Sequence, residues 1–274
     1  MGANQLQRNA WNGENGRRWV AEADGRDRVL QPVADALFDA ARLQPGERVL
    51  DIGCGCGVTT MRAAELVGTG EVTGVDLSEL MLEVARQRAG STRIGYVEAD
   101  AQTHPFAPDA YDVVISRFGT MFFDDPVAAF ANIRVALVPG GRLCLATWQP
   151  LADNDWLKVP AAALVGYGAL PDSNSTEPGM FGLSDPARIR QVLASAGWHD
   201  VVVEPATVAL PLGATAQDAA AYLADTGIVR TVLEALTPDD RRAALSAVVA
   251  VLQERQTASG VELGAGIHLI QARC

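Results

Sequence analysis

Residues 49–58, Val-Leu-Asp-Ile-Gly-Cys-Gly-Cys-Gly-Val, end an apolar run in three glycines at alternate positions. Between a strand and a helix, such glycines let the backbone turn tightly and approach a ligand closely. A pyrophosphate-binding loop needs another glycine three residues after the second, so that the phosphates sit on a helix N-terminus. The second glycine is Gly55, and the required position holds Val58. Asp51, two residues before Gly53, would repel a pyrophosphate but can accept a hydrogen bond from the ammonium of an amino-acid ligand. Gly53, Cys54 and Gly55 are therefore expected to hold a ligand with an amino-acid end and no phosphate. Two more carboxylates, Asp76 and Asp100, stand at the ends of the next two apolar runs. There Asp76 can accept both hydroxyls of a ribose, and Asp100 the exocyclic amino group of adenine. Leu77 and Met81 are placed to pack against the adenine faces.

These residues need a scaffold that brings strand ends together. Short apolar runs at 48–53, 71–76, 94–99, 111–116 and 141–147 alternate with helical patterns, as in βαβ units around a parallel sheet. Ser78 is expected to cap a helix carrying Leu80, Met81, Val84 and Ala85 on one face. Asp125-Pro126 opens another, with Phe130, Ile133 and Leu137 at helical spacing, closed by Pro139-Gly140-Gly141. A helix from Asp185-Pro186 to Gly197 precedes a strand at 200–210, residues 215–257 read as helical, and 264–273 as a last strand. One domain follows over 1–274, with an N-terminal helical lid (1–45), a cofactor-binding core (46–148) and acceptor-shaping insertions at 149–184 and 211–262.

The stretches VLDIGCGCG (49–57), VTGVDLSELML (72–82), VEADAQTHPF (97–106), YDVVISRFGTMFFDDP (111–126) and LVPGGRLCLATW (137–148) resemble the class I S-adenosylmethionine-dependent methyltransferases, in the branch of ubiquinone/menaquinone-type and natural-product enzymes. The resemblance implies an α/β, Rossmann-like fold with a seven-stranded, mostly parallel sheet whose last strand is antiparallel. It places Asp51, Gly53 and Gly55 at the methionine end of S-adenosyl-L-methionine, Asp76 at the ribose, and Asp100 with Ala101 at the adenine. Ser116, Arg117 and Phe118 would line the floor near the sulfonium, and the product would be S-adenosyl-L-homocysteine. The chain departs from the family's frequent Leu-Pro-Phe with His104-Pro105-Phe106, and its helical stretch 215–257 is longer than the minimal fold needs. Both departures concern the acceptor side.

Trp11 and Trp19 lie in a polar, glycine-containing segment, WNGENGRRW, that suits a movable lid. Met121 and Phe122 follow the fourth strand at the ligand-binding edge, where an aromatic can attract a sulfonium. His104 is the histidine expected on that edge, a candidate general base where the acceptor arrives protonated. No metal is expected: Cys54 and Cys56 stand too close for a zinc pair, and Asp153-Asn154-Asp155 lacks the fourth-strand carboxylate that a catechol-type metal site requires.

The formal net charge of −11 without a basic cluster disfavours nucleic acid as a partner. No apolar run reaches the roughly 20 residues of a membrane helix, and the first residues lack a secretory signal, so a cytoplasmic location is expected. Lys158 is the only lysine among 22 basic residues, as in a bacterial protein from a GC-rich genome. The expected partner is a small-molecule acceptor, in secondary metabolism, with homodimerisation left open. A nicotinamide-dependent oxidoreductase is disfavoured by Val58 and Asp51. A protein that binds the cofactor without transferring methyl would carry the same motifs.

Overall fold

The computed structural model describes residues 3–90, 93–168 and 177–274. Parts of the expected lid (1–2) and of the insertion at 149–184 (169–176) lie outside the described residues. Eight strands form one sheet: β1 (Val49–Ile52), β2 (Val72–Asp76), β3 (Ile94–Glu98), β4 (Tyr111–Arg117), β5 (Leu137–Trp148), β6 (His199–Gly213), β7 (Gln256–Thr257) and β8 (Gly260–Arg273). Their order is β3-β2-β1-β4-β5-β8-β6, with β7 added beside β8. The first five are parallel neighbours, and β8 runs antiparallel to β5 and β6. This is the expected mostly parallel sheet with an antiparallel last strand, enlarged by the two-residue β7.

Twelve helices accompany the sheet among the described residues. They are α1 (Gln5–Trp11), α2 (Glu14–Ala21), α3 (Ala23–Val29), α4 (Gln31–Ala41), α5 (Val58–Val67), α6 (Glu79–Arg88), α7 (Pro126–Val135), α8 (Asp155–Leu164), α9 (Pro186–Ser195), α10 (Ala216–Ala224), α11 (Gly227–Glu234) and α12 (Pro238–Gln253). All four residues of β1 are buried, as a central parallel strand covered on both faces requires. Side-chain caps fix the helix starts: Ser78 accepts from Met81 N, Asp125 from Ala128 N, Asp185 from Ala187 N and Thr237 from Asp240 N. None of the helices is long and apolar enough to cross a membrane.

Three boundaries differ from the sequence expectation. Leu137 belongs to β5, not to the preceding helix: it pairs with Tyr111, and the register then jumps from Leu137 to Arg142, so Pro139-Gly140-Gly141 bulges within the strand. The helical insertion occupies 216–253, because β6 continues to Gly213 and β8 already begins at Gly260. Finally, α4 is not part of a lid. Val33, Ala34, Leu37, Phe38 and Ala41 recur at helical spacing, are all buried, and join the main core. By contrast, α1 buries no side chain fully.

Candidate active site

The chain order splits between β1 and β4, whose neighbours are β2-β3 on one side and β5 on the other. In an open α/β sheet, that split leaves a crevice outside the carboxyl ends of the strands. A cavity of about 340 Å³ opens there. Gly53 and Gly119, one after each strand, come so close that a Cβ at Gly53 would lie 2.6 Å from Gly119 Cα. Gly53 also has φ +69°, a conformation side chains disfavour. Gly53, Cys54 and Gly55 line the cavity, and a Cβ at Gly55 would fill space against Met81 and Trp19.

Asp51 lies fully buried beneath this loop. Its Oδ2 accepts from the hydroxyls of Thr59 and Thr60, both at 2.7 Å, while Oδ1 has no partner. Burial pushes its carboxyl up to about 6, against the two hydroxyls and the nearby Arg117 charge. Arg117, at the end of β4, is itself deprived of water, which lowers its pKa. Its Nη2 reaches Asp27 at 3.4 Å, and its buried Nη1 has no partner. The unpartnered guanidinium nitrogen belongs to a residue of the cavity wall and can meet the carboxylate of an amino-acid end, whereas Asp51 lies behind that wall.

Asp76 faces the other half of the cavity. Its Oδ2 accepts from Gly55 N at 2.8 Å and its Oδ1 from Ser78 N at 2.9 Å. Burial raises its pKa, and these backbone donors act in the opposite direction. Asp76 therefore joins the glycine loop to the start of α6 while each oxygen keeps a lone pair for a ribose hydroxyl. Leu77, Met81, Asp100 and Ala101 complete this nucleoside-sized half. Asp100 Oδ1 is already engaged, accepting from Asn4 Nδ2 at 2.8 Å and Gln102 N at 2.9 Å.

The remaining half is aromatic. Phe118 stacks on Trp148 with centroids 3.9 Å apart, and Trp148 meets Trp156 at 5.1 Å. Trp11, Trp19, Met121 and Phe122 close the opposite side, with Trp11 edge-on to both Trp19 and Phe122. Trp156 is aimed by Asn154, whose Oδ1 accepts from Trp156 Nε1 and from Gly266 N. The Asp153-Asn154-Asp155 segment is thus a structural knot, and no group of metal-binding side chains occurs among the described residues.

Three expected residues do not line the cavity: Asp51, fully buried beneath the glycine loop, Ser116 and His104. Ser116 sits behind the wall, its hydroxyl donating to Ile52 O and accepting from Gly119 N. His104 is a correction. Its backbone N–H closes a turn onto Asp100 O, its ring packs edge-on against Phe106 at 4.8 Å, and it is absent from the cavity wall. Sequence proximity to Asp100 did not fix the direction of its side chain. Conversely, Arg26, Asp27, Trp148, Trp156, Tyr222, Asp225 and Arg230 line the cavity without any sequence signal that singled them out. The last three lie on or beside helices α10 and α11, where charges read as a solvated face. Burial pushes the Tyr222 hydroxyl up to about 12 and the Cys56 thiol up to about 11.

Residues 49–141 match the family model described as a methyltransferase domain. The chain is 30% identical over 182 residues to a demethylmenaquinone methyltransferase of Staphylococcus epidermidis, spanning 62% of this chain and 76% of that protein. It is 30% identical over 197 residues to phosphoethanolamine N-methyltransferase 1 of Triticum aestivum, covering 69% of this chain but only 37% of that longer protein. Among solved structures, phosphoethanolamine N-methyltransferase 2 of Haemonchus contortus, in complex with S-adenosyl-L-methionine, superposes with a TM-score of 0.59. That match covers all of this chain and 60% of the other at 20% identity, a likeness of fold. With the motifs, the strand order and the bacterial relative in agreement, the chain belongs to the class I S-adenosylmethionine-dependent methyltransferase family.

Proposed function

We propose that this protein transfers the methyl group of S-adenosylmethionine to a small, largely apolar organic molecule of quinone-like or natural-product type. The observation that carries this reading is the continuity of two unlike half-sites in one cavity. Arg117, Asp76 and Asp100 offer polar partners for an amino acid and a nucleoside, while Phe118, Trp148 and Trp156 wall an apolar space beside them. When bound, the cofactor supplies a methyl group already activated by the sulfonium charge. The chain's own residues then align the acceptor and exclude water. No histidine lines the described cavity, and the lining thiols and phenol are held in their protonated forms at neutral pH. The acceptor is therefore expected to arrive as a ready nucleophile.

The net charge of −11 supports a small-molecule acceptor over nucleic acid, and the reading is of a cytoplasmic bacterial enzyme needing no metal. A transfer screen with methyl-labelled cofactor over phenols, quinols, indoles and amines tests it. Label is expected on one apolar class. Saturable binding of S-adenosylhomocysteine without label on any acceptor would instead favour a protein that binds the cofactor without spending it.

A further inference from the structure

Four arginines line the cavity, and three are neutralised by carboxylates. Arg18 pairs with Glu14, Asp225 and Glu234, Arg26 with Asp225, and Arg117 with Asp27. Arg230 has no ion-pair partner among the described residues. Its guanidinium reaches the amide oxygen of Asn15 from Nη1 at a long 3.4 Å, and its Nε is buried with no hydrogen bond. A buried donor left unsatisfied costs stability, so such an edge is retained where a ligand completes it.

Arg230 lies in the first turn of α11, which packs against α8. The same turn begins at Gly227, which abuts Leu157 (3.3 Å from a built Cβ) and Met180 (3.9 Å), beside the aromatic wall of Trp156. The uncompensated cation therefore belongs to the acceptor half and not to the nucleoside half. We propose that the acceptor is an aromatic or apolar carboxylic acid whose carboxylate is held by Arg230. The guanidinium edge formed by Nε and Nη2 matches a carboxylate in bidentate fashion. With Arg18, Arg26 and Arg117 already paired, Arg230 alone offers an uncompensated charge, which balances a carboxylate but leaves a phosphate dianion half-neutralised. Arg230 is a specificity residue here. The carboxylate is an anchor, and the methylated atom lies elsewhere on the acceptor. This inference rests on the methyl-transfer reading for its biological meaning, but its test reads binding alone.

The protein loaded with S-adenosylhomocysteine is titrated calorimetrically with 1-hydroxy-2-naphthoic acid, its primary amide and 1-naphthyl phosphate. The acid is expected to bind roughly 10- to 100-fold more tightly than the amide, the range of a charge-assisted pair. Arg230→Gln should erase that preference and Arg230→Lys should retain part of it, both with unchanged affinity for S-adenosylhomocysteine. Equal binding of acid and amide, a preference surviving in Arg230→Gln, or tighter binding of the phosphate overturns the proposal. Labelled-methyl transfer in the same samples separates the two ideas. Acid selectivity without transfer would remove the methyl-transfer reading and leave the carboxylate site, and transfer without acid selectivity would do the reverse.

Discussion

At the scale of single residues, two carboxylates carry structural contacts beside the ligand roles proposed for them, and their substitutions must be read accordingly. Asp76 accepts from both Gly55 N and Ser78 N. Asp76→Ala would free two backbone donors and disturb the glycine loop itself, so Asp76→Asn is the cleaner variant. It keeps one good acceptor and should weaken S-adenosylhomocysteine binding by about 1.5–3 kcal/mol, roughly ten- to hundredfold. Calorimetry at unchanged affinity would remove Asp76 from the ribose site. Asp51 gives a pH signature. In the unliganded protein its pKa is raised to about 6 from an ordinary 3.8. Folding therefore favours its protonated form, and this contribution is present below the ordinary value and lost as pH rises through about 6. The proposed ligand ammonium would have to reach the buried Oδ1 in its ionised form, so binding below pH 6 would displace a proton. Affinity for S-adenosylhomocysteine is expected to fall roughly tenfold from pH 7.5 to 5. Asp51→Asn should flatten that dependence, and an identical slope in the variant would assign the proton to another group.

The element proposed to control access is the α1–α2 arm. A satellite cluster holds it, in which Trp11, Trp19 and Val20 pack against Cys56 and Met81, with Trp19 also touching the main core. Hydrogen bonds latch it to three strand ends. Asn4 exchanges bonds with the backbone and side chain of Asp124 and donates to Asp100. Asn12 donates to Leu77 O and accepts from Glu79 N, while Ser78 Oγ donates to Trp11 O. Of the latch points, Leu77 and Asp100 also line the cavity, so the arm is expected to open when a nucleoside enters or leaves. Few buried contacts and several replaceable hydrogen bonds describe a segment that opens below the global unfolding free energy. Replacing both Asn4 and Asn12 with Ala should speed amide exchange across residues 5–21 in the unliganded protein. Release of S-adenosylhomocysteine should accelerate about tenfold or more, as expected from losing hydrogen bonds of about 1 kcal/mol each. Exchange confined to wild-type rates would show that the arm is an integral layer of the core. The next helix does belong to that core: α4 buries five residues and would not join the motion.

For the whole molecule, cofactor binding and folding are linked, because the cavity is assembled from both ends of the chain. At one hundred times its Kd, S-adenosylhomocysteine should add about 2.7 kcal/mol to stability. That corresponds to roughly 5–10 °C in melting temperature for a chain of this size. NAD at the same concentration should leave the melting temperature unchanged, since Val58 stands where a pyrophosphate loop needs glycine; a comparable shift with NAD would revive the oxidoreductase reading. The sequence by itself determined the sheet, the glycine loop and the acidic strand ends, because these depend on periodicity and on residues close along the chain. Thus Asp51, Gly53, Asp76 and Asp100 could be named from spacing alone, each at the carboxyl end of a predicted strand. Only the tertiary structure decided the acceptor wall. Arg26, Trp148, Trp156, Tyr222 and Arg230 come from segments up to two hundred residues apart, and on its own helix each charge among them looks like an ordinary solvated one. Side-chain direction was equally beyond spacing: His104 sits four residues from Asp100, yet the turn between them carries its ring onto Phe106. Local pattern fixes which backbone reaches the crevice, whereas the faces that meet across it are fixed by the packing of distant helices.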